Sequence, residues 1–272
     1  MKNIVITGAT SGIGLAIVKA LVEKEENVIA IGMNQVDCDT AYNSLQRPKS
    51  LRYIPIDLSS NQQIDNQSKL ILEHFEEKID VLIHCAATVR QYFMTNKEGY
   101  ELQFQVNYLA IFHLTRNLLE AIKNSKGMVI ATSSRVHRRT KLDFEDLMNR
   151  KRYFILNVYR KTKLCIAIFI HQFNRLFMDK DLIGYAVDPG LVNTTIGAQN
   201  TTGFFNKFWQ LRSCFGQTPK VVATYYLKLI YEKRITTAPY YYKYGKQLKP
   251  SAYSRRADIG KLLWKASEEY VK

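Results

Sequence analysis

The sequence predicts an α/β fold, a single doubly wound parallel sheet with helices on both faces. Three observations lead there. Short apolar runs alternate with longer amphipathic stretches from the first residues to about residue 190. The apolar runs are continuous rather than alternating with polar residues, as strands buried on both faces require. The stretches between runs are long enough to carry the crossovers that join parallel strands. With 272 residues, 46% hydrophobic and 23% charged, the chain has material for one domain spanning 1–272. That composition argues against disorder, collagen-like repetition and a disulfide scaffold.

The first apolar run, Asn3–Ile6, is β-branched and stops at Thr7-Gly8. Gly12–Lys24 follows, with Ile13, Ala16, Ile17, Ala20 and Leu21 at the spacing that puts them on one helix face. Further strands are expected at Val28–Ile31, Leu51–Ile56, Val81–Ala86, Met128–Thr132 and Ile183–Val187, and a last one near Tyr240–Lys243. Helices are expected at Gln62–Glu77, Lys97–Ile122 and Tyr153–Leu176, with a helical tail over Arg256–Tyr270. Arg135–Lys151 and Val192–Pro219 read as irregular. The second of these carries Phe204, Phe205, Phe208, Trp209 and Phe215, so 192–219 is a candidate lid over an apolar substrate, or a loop touching a membrane surface.

Thr7-Gly8-Ala9-Thr10-Ser11-Gly12-Ile13-Gly14 lies between the first strand and the first helix. Glycines there permit a sharp turn and bring backbone N–H groups toward a pyrophosphate, which the helix N-terminus also faces. Nucleotide binding is therefore expected at Gly8, Ser11, Gly12, Ile13 and Gly14. Ser133-Ser134 closes the fifth strand, at the strand end where ligands meet such sheets. Tyr159 and Lys163 stand four residues apart, on one face of a helix. A tyrosine with an ordinary pKa of about 10 is a poor base, and a neighbouring ammonium favours its phenolate. Asn107 sits inside a helical stretch where Asn is otherwise a poor choice, so it marks either a functional position or a local irregularity of the helix.

Taken together, the Gly-x-x-x-Gly-x-Gly spacing after Thr7, the Ser134 strand end and the Tyr159-x-x-x-Lys163 pair resemble the short-chain dehydrogenase/reductase family. The longer Ser134-to-Tyr159 segment and the C-terminal Lys249-Pro250-Ser251 resemble its retinol-dehydrogenase-like branch. The resemblance implies a Rossmann-type fold and an NAD(P)-dependent oxidoreductase interconverting a carbonyl and an alcohol. It implies Tyr159 as general acid/base, Ser134 as partner of the substrate oxygen, and Lys163 on the nicotinamide ribose. It further implies Asn107 as anchor of a proton-relaying water. Asp57 and Leu58 are placed beside the adenine, and the Pro189-Gly190 loop near the nicotinamide, with the Val192 backbone and Thr194 hydroxyl on its amide. Homodimers or homotetramers are also implied.

One departure stands out. Where the family has Asn-Ala-Gly after the fourth strand, this chain has Cys85-Ala86-Ala87, which removes an amide and a glycine's close backbone approach. On that departure rests the alternative of a catalytically weak nucleotide-binding regulator. Cys85 and His84 do not form a nucleophile–base pair, because strand neighbours point to opposite faces. The second strand ends in Gly32-Met33-Asn34, with neither the acid that favours NAD(H) nor the Arg that favours NADP(H). A neutral Met33 removes repulsion against a 2′-phosphate, so NADP(H) is favoured over NAD(H).

A net charge of +15, dense over Arg135–Lys163 and near the C-terminus, attracts anionic partners. It comes with no nucleic-acid-binding motif, so no nucleic acid is expected. Cys38, Cys85, Cys165 and Cys214 lack metal-ligand spacing, so no metal is expected and a reducing compartment is. With no apolar run near the roughly 18 residues of a membrane helix and no leader-like start, the expected location is the cytoplasm.

Overall fold

A computed structural model describes residues 1–194, 202, 215–232 and 240–272. It contains one eight-stranded sheet: β1 (Asn3–Thr7), β2 (Asn27–Gly32), β3 (Leu51–Pro55), β4 (Val81–His84), β5 (Met128–Thr132), β6 (Ile183–Asp188), β7 (Tyr241–Lys243) and β8 (Lys246–Gln247). The order is β3-β2-β1-β4-β5-β6-β7-β8, parallel throughout except for the β7–β8 hairpin. That hairpin turns on Tyr244 and Gly245, both at positive φ (51° and 69°), as a two-residue hairpin loop requires.

The chain builds β1, β2 and β3 outward in one direction, then returns to lay β4 on the other side of β1. Connections therefore leave the ends of β1 and β4 toward opposite sides, and a crevice opens between them at the carboxyl ends of the strands. This reversal positions everything that follows. β1, β2 and β4 are buried almost throughout: Ile4, Val5, Ile6, Ile29, Ala30, Leu82 and Ile83 are inaccessible to solvent. Each such Ile, Val or Leu side chain contributes about 1.5–3 kcal/mol relative to leaving it exposed.

The helices are α1 (Gly12–Val22), α2 (Gln35–Ser44), α3 (Asn61–His74), α4 (Leu102–Phe104), α5 (Ala110–Asn117), α6 (Leu119–Asn124), α7 (Ile155–Phe177), α8 (Pro219–Tyr231) and α9 (Ala257–Tyr270). Side-chain caps set several starts: Asn34 accepts from Asp37 N, Ser60 from Gln63 N, and Thr218 from Val221 N with Pro219 in the first turn. α7 is the central helix, buried along most of its length against β6, α9 and the turn after β5.

Several expectations need correction. α2 was not expected, because only Cys38 and Ala41 of its residues are buried and no apolar stripe announces it. The single helix expected over Lys97–Ile122 is three helices: α4, then a π turn at Gln105–Leu109, then α5, broken from α6 at Leu118. β4 ends at His84, so Cys85 and Ala86 lie beyond the strand. The irregular Arg135–Lys151 stretch begins with a 3₁₀ turn at Arg135–Arg139, and α8 and β8 were not expected at all.

Of the aromatic lid, Phe204, Phe205, Phe208 and Trp209 lie outside the described residues, while Phe215 is exposed. The ends of that segment are tied together: Asn193 N donates to Gln217 O (2.9 Å) and Gln217 N to Leu191 O (2.8 Å). Among the described residues, no helix is long and apolar enough to cross a membrane.

Candidate active site

The crevice is a cleft of about 850 Å³. Its floor is the turn after β1. Gly8 has φ +66°, and a Cβ there would stand 2.6 Å from Ala86 N, so only glycine fits. Gly14 is closer still: a Cβ would meet Gly8 O at 2.1 Å, which lets α1 start directly against the turn. The turn is clamped by Ala9 N donating to Ile31 O (3.0 Å) and by the Tyr53 hydroxyl donating to Ala9 O (2.9 Å). Ser11, the N-cap of α1, makes no side-chain capping bond, and the helix opens onto the cleft. A helix start of this kind is a ready anion site. The stitching of β1 to β4 continues past the strands, Cys85 N to Thr7 O and Ala86 N to Thr7 Oγ1, both 3.3 Å.

Gly8, Ser11, Gly12, Ile13, Gly14, Met33, Asp57, Leu58, Cys85, Ala86, Ala87, Ser134, Tyr159, Lys163, Pro189, Gly190, Val192 and Thr194 all line this one cleft. Cys85-Ala86-Ala87 leaves it open. The Cys85 thiol accepts from Thr132 Oγ1 (3.4 Å), which also bonds the Tyr226 hydroxyl (2.8 Å). Burial pushes the thiol up to about 11, so it is protonated and not a nucleophile. His84 points the other way, Nε2 to Thr115 Oγ1 at 3.0 Å, and burial drives it down to about 3, a neutral core residue.

Ser133 and Ser134 divide their work. Ser133 is buried and its hydroxyl donates to the main-chain carbonyl of Lys163 (2.9 Å), fixing α7 to the end of β5. Ser134 faces the cleft, its own carbonyl accepting from His137 Nδ1 (2.7 Å). Since Ser251 N donates to His137 Nε2 (3.3 Å), that imidazole is neutral with its proton on Nδ1. Buried Asp188 joins the two loops of this end: it accepts from Arg135 N (3.1 Å) and Gly190 N (2.9 Å) and pairs with Lys243 Nζ at 3.8 Å.

Lys163 is 2% exposed, donates from Nζ to Thr132 O (2.8 Å), and holds that ammonium 5.5 Å from the centre of the Tyr159 ring. Burial lowers it to about 8, opposed by Cys85 and Asp188. Asn107 alone among the expected site residues is not on the cleft wall. It is fully buried in the π turn, accepting from Thr88 N (2.6 Å) and donating to Thr88 O (2.9 Å) and Thr162 Oγ1 (3.4 Å). A π turn at such a position often marks a functional region.

The sequence reading passed over three charged side chains in the cleft: Asp37, Arg90 and Arg160. Arg160 adjoins Tyr159 and was legible from the motif. Asp37 stands on α2, whose existence was missed, and Arg90 follows an irregular loop with no pattern.

These glycines, this strand order and this serine–tyrosine–lysine wall define a nucleotide-dependent α/β enzyme. A model of the family described as "short chain dehydrogenase" matches residues 2–203. The chain belongs to that family, and its activity is that of an NAD(P)-dependent dehydrogenase/reductase acting between carbonyl and alcohol. It is similar to "Retinol dehydrogenase 13" of Mus musculus, 28% identical over 99% of this chain and 84% of that protein. The fold is shared with an NADPH-bound carbonyl reductase from chicken fatty liver (17% identity, 92% and 99% of the two chains, TM-score 0.70). It is shared as well with a Burkholderia phymatum short chain dehydrogenase/reductase in complex with NAD (16%, 89% and 88%, TM-score 0.72).

Proposed function

We propose that the four polar side chains Asn107, Ser134, Tyr159 and Lys163 carry the reaction, Ser134 and Tyr159 at the substrate, Lys163 beside Tyr159 and Asn107 from behind the wall. The observation that supports this is the convergence of Ser134, Tyr159 and Lys163 on the same cleft as the Gly8–Gly14 turn. The cleft suits a dinucleotide: a glycine turn packed directly on the Ala86 backbone, a helix start aimed into it, and a length running from Asp57 to Tyr159. Gly8, Ser11, Gly12, Ile13 and Gly14 would hold its pyrophosphate. Met33, Asp57 and Leu58 would line its adenosine end, and Cys85, Ala86, Ala87, Pro189, Gly190, Val192 and Thr194 the rest. A bound nicotinamide supplies or accepts the hydride.

In reduction the Tyr159 hydroxyl gives its proton to the carbonyl oxygen, and in oxidation the phenolate takes it back. The Ser134 hydroxyl donates a hydrogen bond to that oxygen, where charge develops. The Lys163 ammonium stabilises negative charge on the Tyr159 oxygen and is itself held by Thr132 O. Asn107 acts through the backbone it fixes: its amide group clasps both main-chain groups of Thr88 and so holds the Ala87–Thr88 wall against α7. It is a positioning residue.

NADP(H) is the proposed cofactor, because Met33 places no acid at the end of β2 and the chain is strongly basic. Asp37 works against it, a carboxylate on the same side of the cleft. Parallel titration with NADPH and NADH, followed by nicotinamide fluorescence, tests binding and preference together; failure of both reduced and oxidised forms to bind would remove the assignment. For the chemistry, Tyr159→Phe is expected to lower kcat about 10²–10⁴-fold with cofactor affinity retained. Unchanged turnover in that variant would sink the role given to Tyr159.

A further inference from the structure

The cleft is electrically polarised along its length. Among the described residues, its two carboxylates, Asp37 and Asp57, stand on the β2–β3 side of β1. Its described cations, Arg90, Arg160 and Lys163, stand on the other side, after β4 and on the helix packed against β5 and β6. Lys163 is occupied with Thr132 and Tyr159, as described. Arg90 and Arg160 have no part in proton or hydride transfer, yet both line the cleft, Arg160 next to Tyr159 in the chain.

Their backbones are well fixed. The carbonyl of Arg90 accepts from the Tyr153 hydroxyl (2.7 Å) and Gln103 Nε2 (3.4 Å), and Phe93 packs edge-on against the Tyr153 ring at 5.8 Å. The segment bearing Arg90 is thereby clamped to the start of α7. Arg160 follows Tyr159 on that helix, exposed at the cleft mouth, and no described carboxylate forms an ion pair with it. The same cleft lining includes the apolar side chains Leu102, Val106, Val136, Leu156 and Leu191.

We propose that the substrate is an amphipathic carbonyl or alcohol, an apolar body ending in a carboxylate or phosphate, and that Arg90 and Arg160 bind that anionic end. This rests on the assignment of the cleft to carbonyl/alcohol chemistry and names its substrate class. Guanidinium groups match such anions with paired, charge-assisted hydrogen bonds. An anionic end gains such bonds at these two guanidiniums, which a wholly apolar ligand cannot. The carboxylates at the far end repel the same anion, so the substrate enters in one orientation, reacting group toward Ser134 and Tyr159.

The test uses the cofactor-bound enzyme with 8-oxo-octanoate, its methyl ester, and an aldehyde of similar length ending in phosphate. The expected KM is about tenfold lower for at least one anionic aldehyde than for the ester, an advantage that shrinks as salt rises. Whichever anion has the lower KM identifies the group. Arg160→Gln and Arg90→Gln are expected to raise KM about tenfold more for that anion than for the ester, with Arg160→Lys in between. Equal KM for acid and ester, or equal losses on both in the variants, would overturn the proposal. So would variants that weaken cofactor binding instead, since the arginines would then belong to the cofactor. If no aldehyde turns over, the assignment of the chemistry fails separately. Calorimetric binding of octanoate and octyl phosphate to the cofactor-bound protein, with and without Arg160→Gln, still decides the anion site.

Discussion

Gly8 shows how narrow the tolerance of this site is at single residues. Its φ of +66° and the 2.6 Å gap to Ala86 N leave no room for a methyl group. Gly8→Ala must push the turn or the Ala86 backbone out of place. We expect cofactor affinity to fall about 100-fold or more in a fluorescence titration, the scale of a displaced backbone cradle. Asp37 offers a change of opposite sign. Its carboxylate accepts from Asn34 Nδ2 (2.9 Å) and adds negative charge on the β2–β3 side of the cleft. Asp37→Asn keeps the size and removes that charge, and should tighten NADPH about tenfold while moving NADH far less. Equal shifts for both nucleotides would mean the carboxylate does not face a 2′-phosphate. Residue identity announced Gly8, Ser134, Tyr159 and Lys163, because each belongs to a short spaced motif. It did not announce Asp37 or Arg90, which no local pattern sets apart from other surface charges, and Arg160 was legible only as the neighbour of Tyr159 in the motif.

The stretch from Glu101 to Leu118 carries the main lesson at the scale of elements. Its apolar spacing reads as one long helix, and the polar residues in it are what break it. Buried Glu101 caps α4 by accepting from Gln103 N (3.0 Å) and Phe104 N (2.7 Å), and Asn107 spends its amide on Thr88 across the π turn. Burial lifts the Glu101 carboxyl to about 7, against the two hydrogen bonds that lower it. The folded state therefore binds a proton at Glu101 that the unfolded chain, near 4.5, gives up. Stability from this group is full below that value and lost as pH rises toward 7. Glu101→Gln should flatten the pH dependence of Tm between about pH 4.5 and 7, and an unaltered slope would show the titration to lie elsewhere. α2 was missed for the converse reason: its exposed polar residues give no stripe, and its Asn34 cap is a local signal easily taken for a turn.

For the molecule as a whole, the return of the chain from β3 to β4 decides where function sits. It opens the crevice at β1, brings residues 8 and 159 to one wall system, and separates acids from bases along the cleft. A ligand bound there touches both halves of the sheet, so occupancy should stabilise the entire domain. Dinucleotide at about 100 times its Kd adds about 2.7 kcal/mol. That corresponds to a Tm rise of roughly 5–10 °C for a chain of this size, measurable by calorimetry. Gly8→Ala should abolish the rise, and its persistence there would detach the thermal effect from the cradle.

From the sequence by itself came the α/β class, all seven parallel strands, the glycine turn and the spaced Ser134, Tyr159 and Lys163, because apolar periodicity and motif spacing are local properties of a chain. Only the tertiary structure decided that Asn107 lies behind the wall on Thr88, that Cys85 is tied to Thr132, and that Asp37, Arg90 and Arg160 share the cleft. Those relations join residues distant in sequence, and they depend on strand order and helix placement. Burial and partnership across such distances are set by packing, which no local pattern encodes.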